Sequence, residues 1–460
     1  MMPAIECRSP VDGSIVAARD GIKIQAAETI IARAKQAQAA WALRPLAERV
    51  AAVKAGIEAL GAMNDEVVPE LAWMMGRPVR YGGEFGGVAE RGHHMAAIAA
   101  QALAPAIIEE SDQFERRITR EPHGLVFVIA PWNYPYLTAI NAVAPALIAG
   151  NAVILKPARQ TLLAGERLVA AMVEGGVPPE ICQCLHMSHA TAEALIAANH
   201  FGFVNFTGSV AAGRAIERAA AGTFTGLGLE LGGKDPGYVL ADADVAAAAD
   251  GLIDGAMFNS GQCCCGIERI YVAERHFDAF VERAVAIVEG YQLGNPLEPA
   301  TSIGPMAQPR LAALVRQQTQ QAVAKGAKAL IDPKLFPADD GAGYLAPQIL
   351  INVDHTMDVM REESFGPVVG IMKVSSDAEA ITLMNDSPYG LTASLWTQDP
   401  SRAAAIGAAI DTGTVFMNRC DYLDPAICWT GCKDTGRGVS LSEFGYHSLT
   451  RPKSYHLKKA

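Results

Sequence analysis

The chain has 460 residues, half of them apolar and 19% charged, which excludes a disordered segment and calls for two or three separately packed cores. A formal charge of −11 argues against nucleic acid or an anionic membrane as a partner. Nine cysteines without regular spacing, behind an N-terminus lacking a basic start and apolar run, predict reduced thiols in a cytoplasm.

The first hundred residues read as mostly helical cover, with Trp41, Leu46 and Val50 at near-helical spacing. Two basic runs, "FERRITR" from Phe114 and "RPKSYHLKKA" from Arg451, read as solvated edge strands. The stretch Leu137 to Leu155 carries no charge and nearly mimics a membrane span. Gly150-Asn151 divides it into a helix-length and a strand-length piece, so a buried helix followed by a buried strand is expected.

From Gly124 onward, continuous apolar runs alternate with amphipathic helical patterns. "GLVFVIA", "NAVILKP", "ICQCLHM" and "FVNFTGS" form one series; "GYVLAD", "IERIYVA", "PVVGIMKV" and "TASLWT" form a second. Such alternation predicts parallel βαβ units buried on both faces. The predicted class is α/β, with two successive units joined near Gly232-Gly233.

Several motifs suit chemistry, though each also has a plain structural reading. Glu230, between two leucines in "LELGGKDP", is either a general base with a raised pKa or a salt-bridged acid. Asn133 in "PWNYP" could aim an amide at an oxyanion or simply make a turn. In "FTGSVAAG", Gly208 permits close approach while Ser209 opens a helix whose N–H groups suit a phosphate; Lys156 of "KPARQT" ends another strand near the same rim. "CQCLHMSH" lists Cys182, Cys184, His186 and His189 as candidate metal ligands but lacks paired C-x₂-C spacing, so no metal site is expected. His93-His94 reads as helical and solvent-facing. The triplet Cys263-Cys264-Cys265 is open to three readings: core, cluster, or one nucleophile with two neighbours.

The order "PWNYP", "KPARQT", "FTGS", "LELGGK", "FNSGQCCCG", "EESFGPV", "GCKDTGRG" closely resembles the NAD(P)-dependent aldehyde dehydrogenase superfamily over nearly the whole length. The resemblance implies two doubly wound, Rossmann-like parallel-sheet domains plus a small β oligomerisation arm. It implies an NAD(P)-binding domain over 1–112 and 125–232, a catalytic domain over 233–430, and an arm from 113–124 with 445–460. The nucleophile falls on Cys264, with the side chains of Cys263 and Cys265 expected to point elsewhere. Asn133 and the Cys264 backbone N–H would hold the oxyanion, and Glu230 would activate water to release a carboxylic acid. Relatives that hand the acyl group to coenzyme A usually lack that carboxylate.

On the cofactor side, the resemblance places Trp132, Lys156 and Ser209 around adenosine and pyrophosphate, Glu363 on the nicotinamide ribose and Phe365 nearby. The cofactor is NAD or NADP. Many NAD-preferring relatives carry Glu where this chain has Arg159, and a guanidinium would pair with a 2′-phosphate rather than repel it. Tyr134, Thr138, Asn141, Leu423 and Trp429 are expected to line the tunnel for a small-molecule aldehyde, with Arg419 either meeting a substrate carboxylate or forming an ion pair. A homodimer or homotetramer is expected, and no nucleic acid or membrane partner. A metal-binding or thiol redox-sensing protein and a catalytically silent family member are the alternatives.

Overall fold

The computed structural model describes residues 4–459. Its first large sheet runs in the order Gly436–Arg437, Gly226–Glu230, Phe203–Thr207, Leu125–Ile129, Ala152–Lys156, Cys182–Cys184. The last five strands are mutually parallel, and Gly436–Arg437 is antiparallel to Gly226–Glu230. Every residue of the Leu125–Ile129, Ala152–Lys156 and Phe203–Thr207 strands is buried, as a sheet covered by helices on both faces requires. The chain starts in the middle, at Leu125–Ile129, and winds outward both ways. This leaves a topological switch point beside Phe203–Thr207, where ligands of open α/β sheets bind outside the strands' C-terminal ends.

The uncharged stretch divides as its Gly-Asn pair suggests, into the helix Pro135–Ile148 and the buried strand Ala152–Lys156. Gly150, at φ +95°, makes the left-handed stop between them. No helix among the described residues is long and apolar enough to cross a membrane.

The second large sheet runs Lys328–Ala329, Gln348–Ile351, Val368–Val374, Ile267–Ala273, Asp235–Val239, Thr392–Trp396, Thr414–Met417. Only its Lys328–Ala329 edge is antiparallel. A third sheet is antiparallel: Thr450–Lys458 pairs with Phe114–Pro122, which pairs with Ala106–Glu110. The arm thus contains one strand more than its basic runs announce, because "AIIEE" carries neither the charge pattern nor the alternation of an edge.

Two other segments depart from the expected organisation. The N-terminal cover includes an antiparallel hairpin, Ile5–Arg8 with Ile15–Arg19, too short to show periodicity. After Trp429 the chain returns to the first unit: Gly436–Arg437 extends its sheet, and the helix Ser442–Ser448 packs on the helix Phe85–Ala102.

Candidate active site

The helix Val245–Met257 ends two turns of chain before the cysteine triplet, and the connection is unusual backbone. Asn259, Ser260 and Gly261 have φ of +53°, +57° and +69° in succession. Asn and Gly tolerate the left-handed region, but Ser there costs roughly 1–2 kcal/mol and must be held by its surroundings. Ser260 Oγ donates to the Gly304 carbonyl at 2.9 Å. Gln262 bridges outward, donating to the Asn259 carbonyl at 3.1 Å and accepting from Ala307 N–H at 2.8 Å. A Cβ on Gly261 would lie 2.3 Å from the Gly366 carbonyl oxygen. The turn therefore sits wedged against the second unit, and Cys264 emerges partly exposed between its buried neighbours Cys263 and Cys265.

Those neighbours do not point away from the site. Their sulfurs lie 3.5 Å apart, and both donate to one oxygen of Asp421, at 3.2 Å and 2.9 Å. A thiol has only a weak donor, and burial makes any carboxylate worth approaching. The neighbouring Cys263 and Cys265 side chains pull the Cys264 thiol below its ordinary pKa, against burial, which pushes it up. Cys263 itself is pushed up to about 12. Of the three sulfurs the middle one is the most readily ionised, and a thiolate is the nucleophilic form of a cysteine.

Asn133 leaves the first sheet just beyond the Leu125–Ile129 strand and is 5% exposed. Its Nδ2 donates to the Gln262 carbonyl at 3.2 Å, which orients the amide and leaves a second N–H free beside the nucleophile turn. Sequence reasoning missed what holds it. Arg77 donates to the Asn133 carbonyl and lies over the Tyr134 ring, 4.6 Å from its centroid. The same guanidinium pairs with Glu84 at 2.7 Å, and both side chains are almost wholly buried. The other Glu84 oxygen accepts the Tyr136 and Leu137 N–H groups at 3.0 Å and 2.7 Å, capping the Pro135–Ile148 helix.

Glu230 ends its strand with both oxygens engaged: Thr207 Oγ1 donates at 3.2 Å and Ser440 Oγ donates to the other. Burial pushes its carboxyl above the ordinary range, while these hydroxyls and Arg91 pull it down. Ser440 was invisible to motif reading because it arrives from the chain's return to the first unit.

Cys264 and Glu230 line one cavity of about 230 Å³. Tyr134, Thr138, Asn141, Leu423 and Trp429 all lie in its wall, as do Arg91, Phe258 and Asp421, which the motifs did not flag. Arg419 is not in the wall; its guanidinium stacks on Tyr422, 3.8 Å from the ring centroid. The cation facing the cavity is Arg91 instead.

The aldehyde dehydrogenase family model matches residues 2–455. The chain belongs to the aldehyde dehydrogenase family. Among curated relatives, vanillin dehydrogenase of Corynebacterium glutamicum is 30% identical over 98% of this chain and 94% of its own. The NADP-dependent glyceraldehyde-3-phosphate dehydrogenase of Bacillus halodurans C-125, solved with NADP, superposes with a TM-score of 0.93 at 31% identity, covering 100% of this chain and 96% of its own. PnpE, solved with nicotinamide adenine dinucleotide, gives 0.93 at 29% identity over 99% of this chain and 94% of its own. This aldehyde dehydrogenase is therefore an NAD(P)-dependent oxidoreductase.

The residues at the switch point fit such a cofactor. Lys156 is 6% exposed, forms no ion pair among the described residues, and has its pKa lowered by burial. A buried ammonium without a counter-charge, at the C-terminal edge of a parallel sheet, suits a dinucleotide's hydroxyls and phosphates. Ser209 caps the helix Val210–Ala220, accepting from Ala212 N–H at 3.4 Å, and stands exposed. The space beside Gly208 is taken by the Phe206 ring, which an added Cβ would meet at 2.6 Å. Trp132 from the first unit and Phe365 from the second meet edge-on, ring centroids 5.6 Å apart. Glu363 accepts from Gly233 N–H at 3.2 Å and is raised to about 8 by burial. A Cβ on Gly232 would come within 2.6 Å of its carboxylate. Arg159 is exposed, its Nε donating to the Glu6 carbonyl at 2.9 Å.

Two of the candidate ligands of "CQCLHMSH" are engaged or enclosed otherwise. His186 pairs with Glu166 at 2.7 Å and Cys182 is buried in its strand. His93 is not without a partner either: Glu58 lies 2.7 Å away. Among the described residues, the one group with metal-ligand spacing is Cys263, Cys265 and Asp421, all within 4.8 Å.

Proposed function

We propose that the Cys264 thiolate attacks the aldehyde carbon, forming a thiohemiacetal whose oxyanion is held by Asn133 Nδ2 and the Cys264 backbone N–H. NAD(P)+, when bound, would supply the acceptor for the hydride whose loss leaves a thioester on Cys264. Glu230 then takes a proton from water as its oxygen attacks the thioester carbon, releasing the carboxylic acid and restoring the thiolate. The observation that carries this reading is the convergence of Cys264 and Glu230 on one cavity, with the Asn133 amide tethered to the nucleophile turn through Gln262. The depressed pKa of Cys264 and the raised one of Glu230 suit a nucleophile and a general base at neutral pH.

Cys264→Ala is expected to abolish aldehyde-dependent reduction of NAD(P)+, whereas Cys263→Ala keeps it. Glu230→Gln is expected to give one enzyme equivalent of reduced cofactor in a burst, then almost no turnover. Equal loss from both cysteine variants, or normal steady-state turnover by Glu230→Gln, would refute the assignment.

The exposed Arg159 supports use of NADP: with Nε held by Glu6, its terminal amino groups stay uncommitted for a 2′-phosphate. A homodimer or homotetramer built through the arm is supported by its exposed apolar residues, with Ile107 and Ile108 60% and 58% exposed.

A further inference from the structure

The helix wall of the cavity carries a cation without a counter-charge and, beside it, an amide N–H without a partner among the described residues. Arg91, on Phe85–Ala102, forms no ion pair among the described residues. Its Nη1 reaches only the Leu137 carbonyl at 3.1 Å and, at the limit of bonding, Asn141 Oδ1 at 3.5 Å. Asn141, on Pro135–Ile148, is 2% exposed, and its Nδ2 has no hydrogen-bond partner at all. An orphaned buried amide carries a desolvation cost, and so does a half-buried cation without a counter-charge. A guanidinium cannot escape this cost by losing its proton.

The acids of the cavity do not supply the missing charge. Glu230 is engaged by Thr207 and Ser440, and Asp421 by the two flanking thiols. Neither lies within ion-pair distance of Arg91, whereas the buried cations Arg77 and Lys234 are paired at 2.7 Å and 2.6 Å. Arg91 is thus the cation of this wall, and no acid of the wall stands at ion-pair distance from it. Tyr134, Leu137 and Trp429 supply apolar surface around it.

We propose that Arg91 and Asn141 form a carboxylate subsite, and that the preferred substrates are aldehydes carrying a carboxylate at the end remote from the carbonyl. The proposal rests on aldehyde oxidation at Cys264 and names the substrate class of that site. One guanidinium and one amide N–H match the two oxygens of a carboxylate. A phosphate dianion would call for a second cation, and the wall offers none.

The test uses pairs of aldehydes that differ only in charge: 4-formylbenzoate and 4-oxobutanoate, each against its methyl ester. The wild-type enzyme is expected to favour each acid over its ester by about 10- to 100-fold in kcat/KM, expressed mainly in KM, the range for a hydrogen bond to a charged group. Arg91→Gln should bring the acid-to-ester ratio close to one, while Arg91→Lys keeps part of it. Calorimetric binding of terephthalate to Cys264→Ala, lost when Arg91→Gln is added, reads the subsite without turnover. Esters oxidised as well as acids, a preference surviving Arg91→Gln, or a phosphate-bearing aldehyde preferred over both acids would each overturn the proposal. If no aldehyde is oxidised, the reading of Cys264 fails, and terephthalate binding still decides the subsite.

Discussion

Glu84→Gln offers a test of how the oxyanion donor is positioned. Arg77 and Glu84 are paired at 2.7 Å with side chains 3% and 2% exposed, so neutralising the acid strands a guanidinium in the interior. Its remaining partners are the Asn133 carbonyl and, at 3.4 Å, Asn259 Oδ1, both uncharged. Breaking one side of such a pair costs roughly 3–5 kcal/mol. The amide oxygen of Gln can still accept from the two helix N–H groups or face Arg77, but it cannot serve all three donors that Glu84 serves. At about 2–4 °C per kcal/mol for a domain of this size, thermal melting should fall by at least ~6 °C. Activity falls for a separate reason. Arg77 holds the Asn133 backbone, and misplacing one oxyanion donor costs about 100- to 1000-fold in kcat. Melting by scanning fluorimetry, with kcat and KM measured well below the new transition, checks both. The double change Arg77→Met with Glu84→Gln removes the stranded charge, so it should recover part of the stability but none of the lost kcat. A Glu84→Gln enzyme melting within about 1 °C of wild type with unchanged kcat would refute the reasoning.

Removing the thiol at Cys263 or Cys265 should raise the Cys264 pKa; iodoacetamide inactivation then needs a higher pH, and an unshifted profile in Cys265→Ala would deny the thiols this part. Because burial raises Glu230 and only its carboxylate accepts a proton, steady-state turnover should decline as pH falls through a value above the ordinary carboxylate range, a limb absent from the cofactor burst. Gly261→Ala places a methyl group 2.3 Å from a backbone oxygen, at positive φ, and should cost both soluble yield and activity; a fully active variant would contradict the wedged turn. Arg159→Glu should lower kcat/KM for NADP by about 10-fold or more relative to NAD, and an unchanged ratio would remove Arg159 from cofactor choice.

The alternation of apolar runs and amphipathic helices was enough to read two parallel α/β units, because a strand buried on both faces can carry no polar side chain without a partner. Short motifs raised Asn133 and Glu230 as candidates, since Gly, Pro and Asn at turns leave a local imprint on the sequence, whereas the choice of Cys264 within the triplet came from the resemblance to the aldehyde dehydrogenase superfamily. The supports of those groups were not legible. Glu84, Arg77, Ser440 and Asp421 reach the site from segments far apart in the chain, and nothing local distinguishes them from ordinary surface residues.

Cavity-facing charge was equally undetermined. By position, Arg419 beside the "CDYLDP" wall was the candidate for a substrate carboxylate, yet it stacks on Tyr422, while Arg91 from a helix read as mere cover lines the cavity. The sequence by itself determined which backbone segments are buried and which residue types can do the chemistry, because periodicity and turn composition are local properties. Tertiary structure alone decided which acid the flanking cysteines reach, which acid is held by hydroxyls and which cation of the cavity is left without a counter-charge. Each of these depends on distances between residues that only packing brings together.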